Sequence, residues 1–167
     1  MSALPIVRFP HPLLKQSTRL VERVDDAIER LIHAMIKTMR QHPRCVGLAA
    51  PQVGSDLRIA VMDASAHPKV SASHGLLVLI NPQLDSTEGS VIQREGCLSI
   101  PDFTANVRRA ARVHLTAFDQ DGASREWWLE GFEAIVAQHE VDHLDGKLFL
   151  DRVVNLTTDV FRRKTYR

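Results

Sequence analysis

The stretch "GFEAIVAQHEVDHLDG", residues 131–146, decides the reading of this chain. Phe132, Ile135 and Val136 fall with His139 near one face of a helix, and Gly146 supplies a plausible stop. His139 and His143 stand four apart, with Glu140 directly after the first. On a helix, residues i and i+4 share a face. Two imidazoles placed so can bind one metal ion, and the carboxylate beside the first can reach a water held there. A polar helix end with scattered histidines has the same spacing. The metal reading therefore makes a demand: a catalytic site of this kind has three protein ligands and an open position. The third ligand must come from elsewhere in the chain.

The rest of the sequence sets bounds. With 167 residues the chain is long enough for one domain, residues 1–167, around one core. Hydrophobic residues at 44% and charged residues at 25% are ordinary for a globular protein, and a formal net charge of +1 gives no global case for nucleic-acid or membrane binding. The N-terminus has no apolar run of signal-peptide length, and no segment approaches the roughly 20 apolar residues of a membrane span. A cytoplasmic location is expected. Cys45 and Cys97 are too few for a disulfide framework and are expected to be thiols.

Val24, Ile28, Leu31, Ile32, Met35 and Met39 recur at helical spacing behind Asp25 and Asp26, which suit an acidic first turn. "LRIAVMD" (57–63) reads as a strand, and "LLVLINP" (76–82) as a buried strand stopped by Asn81 and Pro82. "RVHLTAFDQDGASREWWLE" (112–130) reads as a hairpin turning at Asp121-Gly122, with His114 structural and one of Trp127 and Trp128 on each face. The tail "FRRKTYR" (161–167) reads as a solvated helix end. Two helices among strands, without repeats or linkers, make an α+β chain.

Downstream, no glutamate follows Glu140, and Phe149 stands where an extended HExxHxxGxxH pattern would place a third His. Upstream, "REGCLSIP" (94–101) carries Cys97 after Gly96. A thiolate on a short extended segment can approach a metal, and Cys/His/His is a known ligand set. A small buried hydrophobe is the other reading of a free Cys. "CVGLAAPQVG" (45–54) is a run of small residues that lets a backbone pass close to a ligand, and Gln52 offers an amide that could donate to a carbonyl oxygen.

Taken in order, "GLAAPQ", "EGCLS" and "HEVDH" resemble the three signature motifs of peptide deformylase, and "NPQL", "DQDG" and "GKLFLDR" extend the resemblance over nearly the whole chain. The resemblance implies mixed sheets packed round a central helix that carries the two histidines. It implies a metal-dependent hydrolase that removes the formyl group from the N-terminal methionine of nascent chains. It implies Cys97, His139 and His143 as metal ligands, and Glu140 as general acid/base. Gln52 and the backbone N–H of Leu98 would hold the oxyanion, and Gly47 would offer backbone hydrogen bonds to the peptide. Val46, Ile135 and Val136 are the candidates for the methionine pocket. One ferrous ion per chain is the implied cofactor, with zinc, nickel or cobalt as replacements. N-formylmethionyl peptides are the implied substrates, and the basic tail is a candidate contact with the ribosome.

Three positions depart from the pattern. Cys45 stands where Gly is usual, Thr104 where many bacterial members carry an Arg on the peptide side, and Arg108 where Pro is common. Arg109 matches a family Arg that can pair with Glu95. Two alternatives stay open: a same-fold metal-dependent amidase acting on another small N-acyl substrate, and a non-catalytic, ribosome-associated relative.

Overall fold

Asp25 starts the first helix, α1 (Asp26–Gln41), because its carboxylate accepts from the N–H groups of Ala27 and Ile28, two of the donors a helix start leaves unpaired. The structure is a computed structural model and describes residues 3–164. Ile28, Ile32, Met35 and Met39 form the buried stripe of α1, packed with Leu48, Ile59, Val61 and Ile80. The strands are β1 (Gly47–Ala49), β2 (Ile59–Asp63), β3 (Leu76–Glu88), β4 (Val91–Cys97), β5 (Ile100–Arg109), β6 (Arg112–Phe118) and β7 (Ser124–Glu130). The second helix, α2 (Gly131–Leu144), follows β7 directly, and β8 (Val160–Arg162) closes the chain. A five-stranded sheet runs β1-β2-β3-β6-β7 and a three-stranded sheet β4-β5-β8. All pairings between these strands are antiparallel. The α+β architecture is thus as expected.

The hairpin falls where Asp121-Gly122 placed it. Asp119 accepts from the N–H groups of Asp121 and Ala123, and Trp127 packs on the core while Trp128 faces outward. His114 lies between Asp85 and Glu126 and belongs to no cluster of possible metal ligands among the described residues.

Two expectations need correction. β3 does not stop at Asn81-Pro82 but runs on to Glu88. Asn81 takes φ 53°, the register shifts between Ile80 and Gln83, and the Asn81 amide bonds both backbone groups of Val21. The irregularity lets Pro82, which lacks an N–H, sit inside a long strand. The tail is not a helix end either. Val160 and Arg162 pair with Ala105 and Phe103 of β5, so the described tail is an edge strand. Arg167 lies outside the described residues.

α2 is central. Ala134, Val136, Ala137 and Val141 pack on Leu77, Leu79, Leu115 and Leu129 of the five-stranded sheet. Its other side meets β4 through Glu95 and Cys97. With no solvent face, even its polar side chains are buried, which is costly unless each finds a partner. Gln138 bonds both backbone groups of Ala110, Glu133 holds His74, and Asp142 holds Arg109 and Arg152. Glu140 Oε2 and His143 Nδ1 are the exceptions on this helix.

Candidate active site

His139 and His143 lie on consecutive turns of α2, and β4 delivers Cys97 opposite them. A register shift between Gly96 and Cys97 turns the chain tightly into β5 and re-aims the sulfur. Cys97 Sγ lies 3.3 Å from His143 Nε2, and one donor atom each from Cys97, His139 and His143 lie within 4.8 Å of one another. One ion at about 2.0–2.3 Å from sulfur and nitrogen donors would give separations of this order. The chemistry fits too, since a thiolate with two imidazoles suits a borderline-soft divalent ion.

The donors are held in place. His139 Nδ1–H donates to Glu95 Oε1 at 2.7 Å, which leaves its other nitrogen for the cluster. Glu95 in turn accepts two bonds from Arg109, whose third N–H goes to Asp142. Burial works against the Glu95 charge, but His139 and Arg109 outweigh it and bring its pKa down to about 2. His139 is likewise opposed by burial, yet Cys97 and Glu95 raise it well above the usual imidazole value. His143, buried beside that charge and Arg109, is pushed well below it. The pair thus resists charging twice.

Glu140 is buried between α2 and β1, where burial first, and then Glu95, push its pKa up to about 7. The site depends on Gly47: a Cβ there would lie 2.8 Å from Glu140 Cδ and 2.9 Å from its Cγ. Gln52 sits on the 3-10 turn Ala50–Val53 that follows β1. Its carbonyl oxygen accepts from Ala49 N–H, which fixes the amide so that Nε2 reaches Cys97 Sγ and Ser99 Oγ, both at 3.3 Å.

These groups open onto a cavity of about 280 Å³. Nine of the ten candidate site residues line it, namely Gln52, Leu98, Val46, Gly47, Ile135, Val136, Cys97, His139 and Glu140, and the tenth, His143, is buried. Thr104 does not line it. Sequence reasoning missed Ser99, which shares the Gln52 amide, and Asp142, the second carboxylate on Arg109. Asp142 carried a signal, because a carboxylate on a helix without a polar face needs a buried cation. Arg163, grouped from the sequence with Arg162, Lys164 and Arg167 in the basic tail, follows β8 and reaches the cavity.

With this geometry in view, residues 3–159 match the family model for polypeptide deformylase. The chain belongs to the polypeptide deformylase family. It is 42% identical over 164 residues to the peptide deformylase of Syntrophobacter fumaroxidans, covering 98% of this chain and 94% of that one. A peptide deformylase structure from Legionella pneumophila superposes with TM-score 0.84 at 37% identity, covering 92% of this chain and 88% of that one. A class I type b peptide deformylase from Acinetobacter baumannii, with Met-Ala-Ser bound, gives TM-score 0.84 at 32% identity over 90% of this chain and 98% of that one. Among the described residues, no helix is long and apolar enough to cross a membrane.

Proposed function

We propose that this family member hydrolyses the formamide of N-formylmethionyl peptides with the following division of roles, acting as one catalytic domain over residues 1–167. Cys97, His139 and His143 hold one divalent ion. That ion, when bound, supplies Lewis acidity that brings the pKa of water from about 16 toward 7. Glu140 takes the proton of the attacking water and returns it to the leaving amine nitrogen. Gln52 Nε2 and the Leu98 N–H donate to the formyl oxygen as it gains charge, a type of contribution worth roughly 3 to 4 kcal/mol per donor. Gly47 offers backbone hydrogen bonds to the peptide. Val46, Ile135 and Val136 surround the methionine side chain. A formyl carbon bears only a hydrogen, so a narrow site admits it and excludes bulkier acyl groups.

The observation that carries this reading is Glu140: a buried carboxylate with one oxygen unpartnered, beside a Cys/His/His donor set. A structural metal site has no use for it, which disfavours a non-catalytic relative. Formate release from formyl-Met-peptides by metal-loaded protein is the direct test. Cys97→Ser should lose most of the metal by elemental analysis, and full metal content in that variant removes Cys97 from the ligand set.

Ferrous iron is our choice of ion in the cell, with zinc, nickel or cobalt able to replace it, because a single thiolate with two imidazoles suits all four. Metal analysis of protein purified without oxygen checks it. A cytoplasmic site of action fits the proposed substrates, newly made N-formylmethionyl chains. Nascent chains place the enzyme near the ribosome, and Arg162 and Lys164, exposed at the end of β8 and outside the cavity lining, are suited to phosphate contacts. Arg162→Glu with Lys164→Glu should then weaken co-sedimentation with ribosomes at low salt. Unchanged co-sedimentation ends that part of the reading.

A further inference from the structure

Four cations ring the mouth of the cavity: Arg44, Lys69, Arg94 and Arg163. All four are exposed. Among the described residues none of them has a carboxylate partner: Arg94 bonds Asn106 and Lys69 lies over the Phe132 ring. The acidic groups lining the cavity are Glu95 and Glu140, both buried on its floor, and Glu95 is taken by Arg109 and His139. A chain of net charge +1 thus concentrates unpaired positive charge at one opening.

Two of these cations are held in position. The Arg94 guanidinium stacks on the Phe161 ring at 3.6 Å. Arg163 is anchored by its N–H to the Asp102 carbonyl, directly after the pairing of Arg162 with Phe103. Its guanidinium occupies the space that a Cβ on Gly96 would take, one residue from Cys97. Groups fixed in this way lose little freedom when they bind.

The reacting end of the substrate gives these charges nothing to do. A formamide is neutral and a methionine side chain is apolar. Resting on the deformylase reading above, we propose that the rim selects formylated peptides with an acidic side chain at the second or third residue. Arg94 and Arg163 are the specificity-determining pair, and Arg44 and Lys69 add to the field. The carboxylate would lie where the peptide leaves the cavity over Gly96.

The test uses peptides of the form formyl-Met-X-Z-amide, with Glu, Ser or Lys at X or Z. The amide removes the terminal carboxylate, so that only side-chain charge differs. The full-length, metal-loaded protein should show KM about threefold to tenfold lower for the Glu peptides than for the Ser peptides, and higher for the Lys peptides, with kcat nearly constant. The preference should fall toward unity at high salt, and in the Arg94→Gln, Arg163→Gln double variant at low salt. Equal KM values across the series for the unaltered protein overturn the proposal, as does a preference that survives in the double variant. A double variant that loses ribosome co-sedimentation while keeping the peptide preference assigns the rim to phosphate and also overturns it. Failure to release formate from any peptide overturns the deformylase reading and this proposal together. Release from all of them without charge preference overturns this proposal alone.

Discussion

On the floor of the cavity Arg109 is shared by Glu95 and Asp142, Glu95 also holds His139, and Glu140 keeps a buried oxygen without a partner. At the rim, Arg44, Lys69, Arg94 and Arg163 are exposed, and among the described residues none has a carboxylate partner. The two regions lie within a few residues of each other along β4, since Arg94 precedes Glu95. Their energetics differ. A buried ion loses its hydration, so removing one partner leaves an uncompensated charge and is strongly destabilising. An exposed ion keeps its water and interacts weakly and reversibly. The floor should therefore control folding, metal retention and kcat, and the rim should control KM and its salt dependence.

The sharpest way to break this division is Glu140→Ala. The variant should keep its metal, because Glu140 is no ligand, and should lose roughly 10²–10⁴-fold in kcat. Elemental analysis and formate release measure both quantities on one sample. Loss of metal would make Glu140 part of the ligand set. Retained turnover would end its role in proton transfer.

Next in size is Arg109→Met. Glu95 and Asp142 would be left buried without their shared cation, at a cost of about 3–5 kcal/mol in a urea melt. Metal affinity should fall roughly 10- to 100-fold as Glu95, which orients His139, loses its own anchor. The pH dependence carries a sign. Glu95 is depressed from 4.5 to about 2 in the fold. It therefore contributes stability above its unfolded value, and that contribution is lost as pH falls from 4.5 through about 2. Without Arg109 the folded value rises, so the acid-dependent part of the stability should shrink. A variant as stable as the parent at neutral pH would show that the brace adds nothing to the fold.

Gly47→Ala probes the same floor more gently. The new methyl would meet Glu140 Cδ at 2.8 Å, so the carboxylate must shift while the metal donors stay put. A displacement near 1 Å is worth up to about 10²-fold in rate. We expect kcat to fall 10- to 100-fold by that argument, with metal content unchanged. Unchanged kcat would mean that Glu140 has slack.

The same contrast explains what was legible in the sequence. α1, β2 and the β6–β7 hairpin follow ordinary periodicities, Asp121-Gly122 marked its turn, and α2, which has no polar face, was marked by the spacing of its histidines. The three-stranded sheet was hidden. On β4 the inward side chains near the site are Glu95 and Cys97, while Ile92 is 55% exposed, so the alternation of apolar and polar residues is inverted. A functional site replaced the core residues that would have announced the strand. The cluster of Cys97, His139 and His143 was legible because HExxH carries its own geometry and a catalytic metal site of that kind asks for a third ligand. Ser99 and Arg163 were not: Ser99 meets Gln52 from the turn between β4 and β5, and the pairing of β8 with β5 brings Arg163 to the cavity. Thr104 lies beside Gly96 and pairs with Phe161, outside the cavity lining, and Arg163 packs against the same glycine and lines the cavity.

The smallest expected effect belongs to Cys45→Gly. A Gly is usual at this position, and a positive φ there would make Cys45 a source of strain in the loop that carries Gly47 and Gln52. The structure puts the positive φ one residue earlier, at Arg44, with φ 65°. Cys45 is unstrained, and its thiol donates to the Gly47 carbonyl at 3.1 Å. Burial, and then the Glu140 carboxylate, push that thiol up to about 12, so it stays protonated and unreactive near neutral pH. Glycine would remove one weak hydrogen bond and add chain freedom, at about 0.5–1 kcal/mol of stability. It would leave the oxyanion donors where they are, so kcat should change by less than about twofold, given that no donor or charge is altered. Cys45 should also react slowly with a thiol reagent in the folded protein. A clear rise in kcat would show that the Cys45 side chain distorts the floor.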